Sequence, residues 1–348
     1  MTKVDRRSVL GSLGKAAIAA PAIVAVSSLE TKAAGVTNWR MQALWGGSTT
    51  PYKYEERFAK RVEELTGGSL QIKTFAGGTI VPNAQAFDAV RGGAFQMMKT
   101  FDGYTAGKIP AHGFSSTVPF GFPEADMYEA WFYERGGLDM VRKSYAPAGL
   151  TYIAPTVYGE EPIHSRVEIK SIADLKGLKG RFVGLASSIM AEFGVAVSPL
   201  PTSEVYSALD KGLIDIADRG DIKANYEAGL HEVAKFLVLP GIHQPTTATG
   251  YVANTAAYNK LDTQQKAALE VAAREISGAL RQDIMVSNAE YIAKFKEAGV
   301  KLIKLDTDDI AASRKVAQGA LEKATKGDKL AQEMLKSQAT LMADFGLL

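Results

Sequence analysis

Hydrophobic residues alternate with polar ones in the first segment that predicts a folded element. Apolar side chains recur at every second position at Trp39, Met41, Ala43 and Trp45. This is the period of a half-buried strand. Over 52–66 the apolar residues fall on one helical face instead, and Gly67 and Gly68 follow as a left-handed stop. The segment 70–75 then predicts a second strand.

The order of helix, glycine and apolar strand occurs twice in the chain. It is found in 87–98 and again in 206–217, where Ala and aromatic positions form the packed face of the helix. A glycine ends each helix, and a short apolar run then enters a sheet. The repetition predicts an α/β fold with two similar lobes.

Each of these strands ends in a polar cluster, at 99–102 in the first lobe and at 218–221 in the second. Ligands of open α/β sheets bind just beyond the carboxyl ends of strands. If the lobes face each other, both clusters border one cleft between them. The alternative is that the clusters are solvated loops between a strand and a helix.

From Leu261 onward, Ala, Lys, Glu and Gln dominate with helical spacing, and proline is absent. This predicts a helical C-terminal segment. It could brace both lobes or pack against a second copy to form a homodimer, and the sequence does not choose between these arrangements.

The first 34 residues are typical of an export signal. Arg6 and Arg7 precede a short apolar run from Ala16 to Val26, and small residues close the segment near Ala34. The arginine pair resembles the twin-arginine signal, although Val9 stands where an aromatic residue is usual. The alternative is an ordinary secretory signal, and either route predicts the periplasm.

Composition changes this picture in two respects. Cysteine is absent, which excludes disulfides, thiolate metal sites and a cysteine nucleophile. The formal charge is +2, but five basic and two acidic residues lie in the predicted leader, so the rest is near −1. This balance gives no reason to expect a nucleic acid partner.

The sequence also argues against an exported hydrolase. It contains no Gly-x-Ser-x-Gly or His-Glu-x-x-His motif, and its four histidines are scattered. Glu160 and Glu161 are adjacent, so on a strand they would point to opposite faces. We therefore expect a binding protein and not an enzyme.

Four segments resemble the periplasmic receptors of tripartite ATP-independent periplasmic (TRAP) transporters, in the branch that binds 2-oxo acids. They are 58–68, 118–122, 174–181 and 203–209, and they occur in the family's order. The resemblance implies a two-lobed periplasmic binding protein fold. It also implies delivery of a small organic acid to TRAP membrane subunits. A ligand-sensing partner of a signalling protein is the alternative.

The implied lobes can be bounded along the chain. Lobe I is expected at 36–156 plus 247–285, and lobe II at 157–246 plus 286–348. The segments near 152–164 and 246–253 would cross between the lobes and act as hinges.

The resemblance implies that Arg181 binds the substrate carboxylate through a paired salt bridge. A planar guanidinium offers two parallel donors that match a carboxylate. The alternative is a structural pairing with an aspartate such as Asp174. If Arg181 serves the ligand, Arg181→Ala should abolish binding and leave thermal stability nearly unchanged.

The oxo-acid branch places a cation beside the ligand, and this chain departs from its pattern. Glu160, Asp218 with Arg219, and Gln244 stand at the corresponding positions. Glu160, Asp218 and Gln244 could form an oxygen site for sodium or calcium. Alternatively, Arg219 neutralises the carboxylates in place of a metal, because a positive group there would repel a cation.

Aromatic residues are expected to line the cleft, because concave ligand sites are mostly apolar with few directed polar groups. The candidates are Trp45, Phe101, Tyr104 and Tyr158. The ligand is expected to be a 2-oxo, 2-hydroxy or dicarboxylic acid. Arg219 would suit a second acidic group on it, or Glu160 would instead suit a hydroxyl or amine donor. His243, as a lone histidine, is expected to be structural.

Overall fold

The computed structural model describes residues 35–198, 200 and 202–348, and the predicted export signal at 1–34 lies outside them. Eleven strands lie within the described residues. They are β1 (Thr37–Gln42), β2 (Leu70–Phe75), β3 (Met97–Thr100), β4 (Leu150–Tyr158), β5 (Ile163–Ser165), β6 (Lys179–Arg181), β7 (Ala196–Val197), β8 (Ile216–Ala217), β9 (Phe236–Leu239), β10 (Thr247–Asn254) and β11 (Lys301–Lys304).

Thirteen α-helices lie in the same part of the chain. They are α1 (Thr50–Leu65), α2 (Ala86–Arg91), α3 (Ala111–Ser116), α4 (Ala125–Glu134), α5 (Gly137–Tyr145), α6 (Leu185–Glu192), α7 (Val205–Asp210), α8 (Ile222–Glu227), α9 (Leu230–Val233), α10 (Thr255–Tyr258), α11 (Thr263–Glu297), α12 (Thr307–Ala324) and α13 (Lys329–Asp344).

The first sheet has the strand order β2-β1-β3-β10-β4, with β10 antiparallel to both of its neighbours. The predicted strand 70–75 is confirmed, and the predicted helix 52–66 is confirmed as α1. Helices α1 and α11 pack against this first sheet. Within that core, Phe58 of α1 stacks on Tyr251 of β10 with ring centroids 4.1 Å apart.

The second sheet has the order β11-β9-β5-β8-β6-β7. Its strand β11 interrupts the C-terminal segment, for which the sequence predicted only helix. The strand was not predicted because the apolar run of Leu302 and Ile303 is too short to show a strand period. The repeated helix, glycine and strand pattern is confirmed in both sheets. Gly93 follows α2 at φ 77°, and Gly212 follows α7 at φ 68°.

The chain passes between the sheets at two short connectors. Residues 159–162 lead from β4 to β5, and residues 240–246 lead from β9 back to β10. Helix α11 passes between them as well, since it contacts α1 and β4 on one side and α8 and β11 on the other. The architecture is therefore the two-lobed α/β fold that the sequence predicts.

The lobe boundaries themselves stay a prediction, and the last helix bears on them. Helix α12 contacts α6 of the second sheet's side. Helix α13 contacts α3 and α5, which pack beside the first sheet. Gln338 of α13 donates a hydrogen bond to the backbone oxygen of Phe114 at 2.7 Å. Assigning all of 286–348 to lobe II therefore leaves α13 packed across the lobe boundary.

Candidate ligand site

Both sheets and both connectors contribute to one small cavity of about 30 Å³. Its lining consists of Leu44, Trp45, Phe101, Tyr104, Tyr158, Glu161, Arg181, Val183, Thr202, Asp218, Arg219 and Gln244. Seven of the eight predicted site residues are in this set, and Glu160 is not. The mixture of aromatic walls and a few charged groups suits a small polar ligand.

Strand register brings Arg181 and Asp218 together. Strands β6 and β8 run parallel with Arg181 opposite Ala217, so Asp218 follows directly beside it. The Nη1 atom of Arg181 donates to Oδ1 of Asp218 at 2.6 Å, and both side chains are at most 4% exposed. Asp218 thus fills the role considered for Asp174, whose carboxylate instead accepts hydrogen bonds from Lys170 and Ser171.

The other donors of Arg181 are also directed at protein acceptors. Nε donates to the backbone oxygen of Leu200 at 3.0 Å, and Nη2 donates to the hydroxyl of Thr202 at 3.3 Å. Burial lowers the pKa of Arg181, but Asp218, Tyr104 and Glu161 together raise it above its ordinary value. The guanidinium is therefore held rigidly and charged at the cavity wall.

Arg219 lies on the same cavity and is held more loosely. It is half-buried, and its one hydrogen bond to a described residue runs from Nη1 to the backbone oxygen of Ala224 at 3.1 Å. Burial lowers its pKa, while the nearby Asp221 and Glu161 raise it. Arg219 is thus a cationic group most of whose donors have no acceptor among the residues that the structure describes.

His243 lies behind Asp218 and is fully buried. Its Nε2 atom is 3.6 Å from Oδ2 of Asp218, and neither atom has a hydrogen-bond partner among the described residues. Burial lowers the pKa of His243 to about 4, so the ring is neutral near pH 7. It therefore adds no positive charge to the site.

Tyr158, at the end of β4, and Glu161, in the first connector, form one part of the wall. The hydroxyl of Tyr158 donates to Oε1 of Glu161 at 3.2 Å. Burial raises the pKa of Glu161 to about 8, and Asp218 and Asp221 add to the effect. Sequence reasoning missed Glu161 as a site residue, although strand alternation already separated it from Glu160.

Glu160 points away from this cavity. It accepts a hydrogen bond from the backbone nitrogen of Gly241 and lines a different cavity with Glu124, Arg281 and Arg314. Its carboxylate braces the second connector against the first. Glu160 is therefore separated from Arg181 and the other predicted ligand residues.

Four aromatic residues form the apolar walls. Trp45 meets Tyr158 edge to face at 6.3 Å, and Phe101 meets Tyr104 in the same way at 5.4 Å. Tyr104 is 43% exposed, yet burial raises the pKa of its hydroxyl, which lies near Arg181. These rings can sandwich a small planar group.

Behind Phe101, the remaining polar residues of the first cluster are buried in the protein. The ammonium of Lys99 lies 3.6 Å from the ring centroid of Tyr251. Asp102 accepts hydrogen bonds from Tyr145 at 2.6 Å and from Ser115 at 2.5 Å. These groups are structural, so only part of the cluster 99–102 reaches the cavity.

The parts of the chain that belong to the two sheets approach each other closely beside the cavity, at Gly103 and Gly184. A Cβ atom on Gly184 would lie 3.3 Å from Cα of Gly103, and Gly184 has φ 60°. Gly103 follows β3 and Gly184 precedes α6, so this contact bridges the cleft. Glycine is required at Gly184 both by backbone conformation and by the close approach.

Of the three candidate metal ligands, Asp218 and Gln244 line the cavity and Glu160 does not. In the range 35–348 without Pro199 and Pro201, no group of three or more His, Asp or Glu side chains is arranged to hold a metal. One oxygen of Asp218 is bound by Arg181, and Glu160 faces another cavity. Oδ2 of Asp218 and Oε1 of Gln244 are left as buried oxygens without a described partner. Calcium takes six to eight oxygens, so most of its ligands would have to come from the organic acid, backbone carbonyls or water.

Residues 41–328 match the family described as bacterial extracellular solute-binding protein, family 7 (DctP). The chain belongs to this family. It is 33% identical over 332 residues to the monocarboxylate 2-oxoacid-binding periplasmic protein of Nostoc sp., which covers 93% of this chain and 90% of that protein. The DctP family assignment confirms the resemblance to TRAP receptors.

Solved DctP-type structures share the fold and differ in what they hold. A TRAP solute-binding protein from Bordetella bronchiseptica, with calcium and picolinate in one site of a dimer, aligns with TM-score 0.83 and 27% identity over 90% of this chain and 93% of that one. A second from Pseudoalteromonas atlantica, with sodium and pyruvate, aligns with TM-score 0.82 and 26% identity over 89% and 95%.

The DctP chain is thus a solute receptor of the TRAP transporter type. Among the residues that the structure covers, none of the helices combines the length and apolarity needed to cross a bilayer.

Proposed function

We propose that this receptor closes around a small monocarboxylate, a 2-oxo or 2-hydroxy acid, and delivers it to TRAP membrane subunits. The observation that carries the proposal is a cavity between the two sheets with two guanidinium groups, Arg181 and Arg219, on its wall. Arginine is suited to binding a carboxylate through paired donors.

The charge balance favours one carboxylate over two. Asp218 neutralises Arg181 at contact distance, so Arg219 is the cation left for the ligand. Glu161 lies on the same wall with its pKa raised to about 8, so near pH 7 it is mostly protonated and supplies no positive charge for a second acidic group. The Nostoc relative is named for monocarboxylate 2-oxoacids. A dicarboxylate would leave one charge buried without a partner.

The site residues proposed for this ligand are Arg181, Arg219, Asp218, Gln244, Trp45, Phe101 and Tyr104, with Glu161 in place of Glu160. Arg219 and the remaining donor of Arg181 would bind the carboxylate. The 2-oxo or 2-hydroxy oxygen would face Gln244 and Glu161. The aromatic rings would exclude water from these contacts.

The proposed mechanism is closure about the two connectors, 159–162 and 240–246. The proposed lobes are 36–156 with 247–285 and 157–246 with 286–348, where α13 packs across the boundary between them. Ligand binding favours the closed form because only there do residues of both sheets contact the ligand. The receptor releases its ligand unchanged, and we propose no catalytic activity.

The proposed location is the periplasm, reached through a twin-arginine-type leader at 1–34.

We also propose a homodimer through the C-terminal helices, where Val316 and Phe345 are exposed at 48% and 42%. Light scattering of the mature protein should give twice the monomer mass, and Val316→Glu should halve it. A monomeric wild type would remove the dimer proposal.

The function is tested by a thermal-shift screen followed by calorimetry with pyruvate, 2-oxobutyrate, lactate and succinate. A bound acid at a hundredfold excess over its dissociation constant adds about 2.7 kcal/mol of stability. We expect a shift with the monocarboxylates and little with succinate. A shift with succinate alone would favour a dicarboxylate receptor, and no shift with any acid would contradict the proposed function.

A further inference from the structure

The two arginines of the cavity use their donors differently. Arg181 directs Nε, both hydrogens of Nη1 and one of Nη2 at Leu200, Asp218 and Thr202. Arg219 directs one hydrogen at Ala224, and no other described residue accepts from it. Because a guanidinium carries five N–H donors, Arg219 keeps four for a ligand and Arg181 keeps one.

The two arginines also differ in their charge partners. Arg181 forms an ion pair with Asp218, whereas no carboxylate of a described residue lies within 4.0 Å of the guanidinium of Arg219. Arg219 is half-buried, and the carboxyl groups of Asp221 and Glu161 act on it from nearby without an ion pair at contact distance. An anion in the cavity would supply the missing partner.

A metal ion is disfavoured by the same arrangement. In the Bordetella and Pseudoalteromonas structures a calcium or sodium ion accompanies the organic acid. In this chain, one oxygen of Asp218 is already bound and Glu160 is directed at Gly241. The guanidinium of Arg219 shares the cavity and would repel a cation there.

We propose that Arg219 takes the place of the metal ion, binding the ligand carboxylate through two parallel N–H donors so that affinity is independent of sodium and calcium. Arg181 then acts as a positioning residue that fixes Asp218 and contributes a single further donor. This inference rests on the proposed function, because it requires a carboxylate ligand.

The test uses the mature protein and pyruvate as the probe. Calorimetry is performed after chelation in tetramethylammonium buffer, and then with added sodium or calcium. We expect dissociation constants that agree within about threefold in all three buffers. Arg219→Gln should bind about 100-fold more weakly, because two charge-assisted hydrogen bonds are lost. Arg219→Lys should bind about tenfold more weakly, since it keeps the charge and loses the paired geometry.

Arg91→Gln is the matched control, because Arg91 is exposed and lies outside the cavity lining. It should bind pyruvate like the wild type. Affinity that falls at least about tenfold on removing sodium and calcium, or Arg219→Gln and Arg219→Lys variants that bind like the wild type, would overturn the inference alone. Wild-type protein that binds no acid in any buffer would overturn the proposed function, and the inference with it. If Arg219→Gln does not fold, Arg219→Lys and the buffer series decide.

Discussion

Arg181 and Asp218 form a buried ion pair, with Nη1 and Oδ1 2.6 Å apart, at the ends of two adjacent parallel strands. The pair links the stability of the second sheet to its ligand site. Neither residue can be changed without leaving the other buried and charged.

Arg181→Ala should therefore lower stability as well as affinity, in contrast to the expectation from the sequence. Removing one partner of a buried pair costs about 3–5 kcal/mol. The measurement is the free energy of unfolding in urea without ligand. Arg135→Ala is the control, because its pair with Asp344 is exposed and should be worth at most about 1 kcal/mol.

The double change Arg181→Met with Asp218→Leu tests whether the loss of stability comes from leaving Asp218 buried and charged without its partner, or from losing the ion pair itself. It removes both charges and should recover most of the lost stability, although it should not recover ligand binding. An Arg181→Ala variant with wild-type stability would show that Asp218 is not dependent on this partner.

The buried carboxyl of Asp102 should make stability depend on pH. Burial raises its pKa to about 6 from an ordinary 3.8, although hydrogen bonds from Ser115 and Tyr145 oppose the shift. The folded state therefore binds this proton more tightly than the unfolded state. Its stabilising contribution is present below about pH 4 and is lost as the pH rises through 6.

Urea titrations from pH 4 to 8 check this dependence. The stability of wild type relative to Asp102→Asn should fall over that window and then level off. Asp139→Asn, at a side chain that is 75% exposed, should show no comparable trend. A relative stability that rises with pH would contradict the assigned direction.

Gly184→Ala should weaken ligand binding through closure. Its positive φ makes alanine cost about 1–2 kcal/mol of stability. The added methyl group would also press on Gly103 across the cleft at 3.3 Å. We expect affinity for pyruvate to fall about tenfold by calorimetry.

Gly177→Ala is the matched control for backbone strain. Gly177 has φ 85°, and a Cβ atom there would meet no neighbour within 4 Å. It should lose similar stability and keep its affinity. Equal affinities for the two variants would mean that the contact between the glycines does not limit closure.

Trp45 should report ligand binding by fluorescence. Of the three tryptophans, Trp45 lines the cavity, whereas Trp39 and Trp131 are packed in the hydrophobic cores. Pyruvate should change the emission of the wild type, and Trp45→Phe should lose most of that change while retaining affinity within about threefold. A full signal in Trp45→Phe would place the responsive ring elsewhere.

Much of the fold was predictable because its signals are local. Helix α1, strand β2 and the two helix, glycine and strand units follow from side-chain periodicity and from glycines that end the helices. Strand β11 was not, because four residues are too few for a period and its partner β9 is distant in sequence. Its pairing is a tertiary effect.

The site was predictable as a set of regions more than as exact side-chain roles. The clusters after β3 and β8 indicated which strand ends meet, and Phe101, Asp218 and Arg219 are there. The choice between Glu160 and Glu161 depends on the path of a short connector, which the sequence does not specify. The pairing of Arg181 with Asp218 depends on strand register and was likewise hidden.

Helix α11 is continuous over 35 residues, about 52 Å of α-helix. It is anchored on α1 and β4 at one end and on α8 and β11 at the other. Any rotation of one lobe against the other must therefore bend helix α11 as well as change the backbone conformation of the two short connectors. If ligand binding rotates the lobes as proposed, part of the binding free energy would go into bending this helix, and release of the ligand would let the helix return to its relaxed shape.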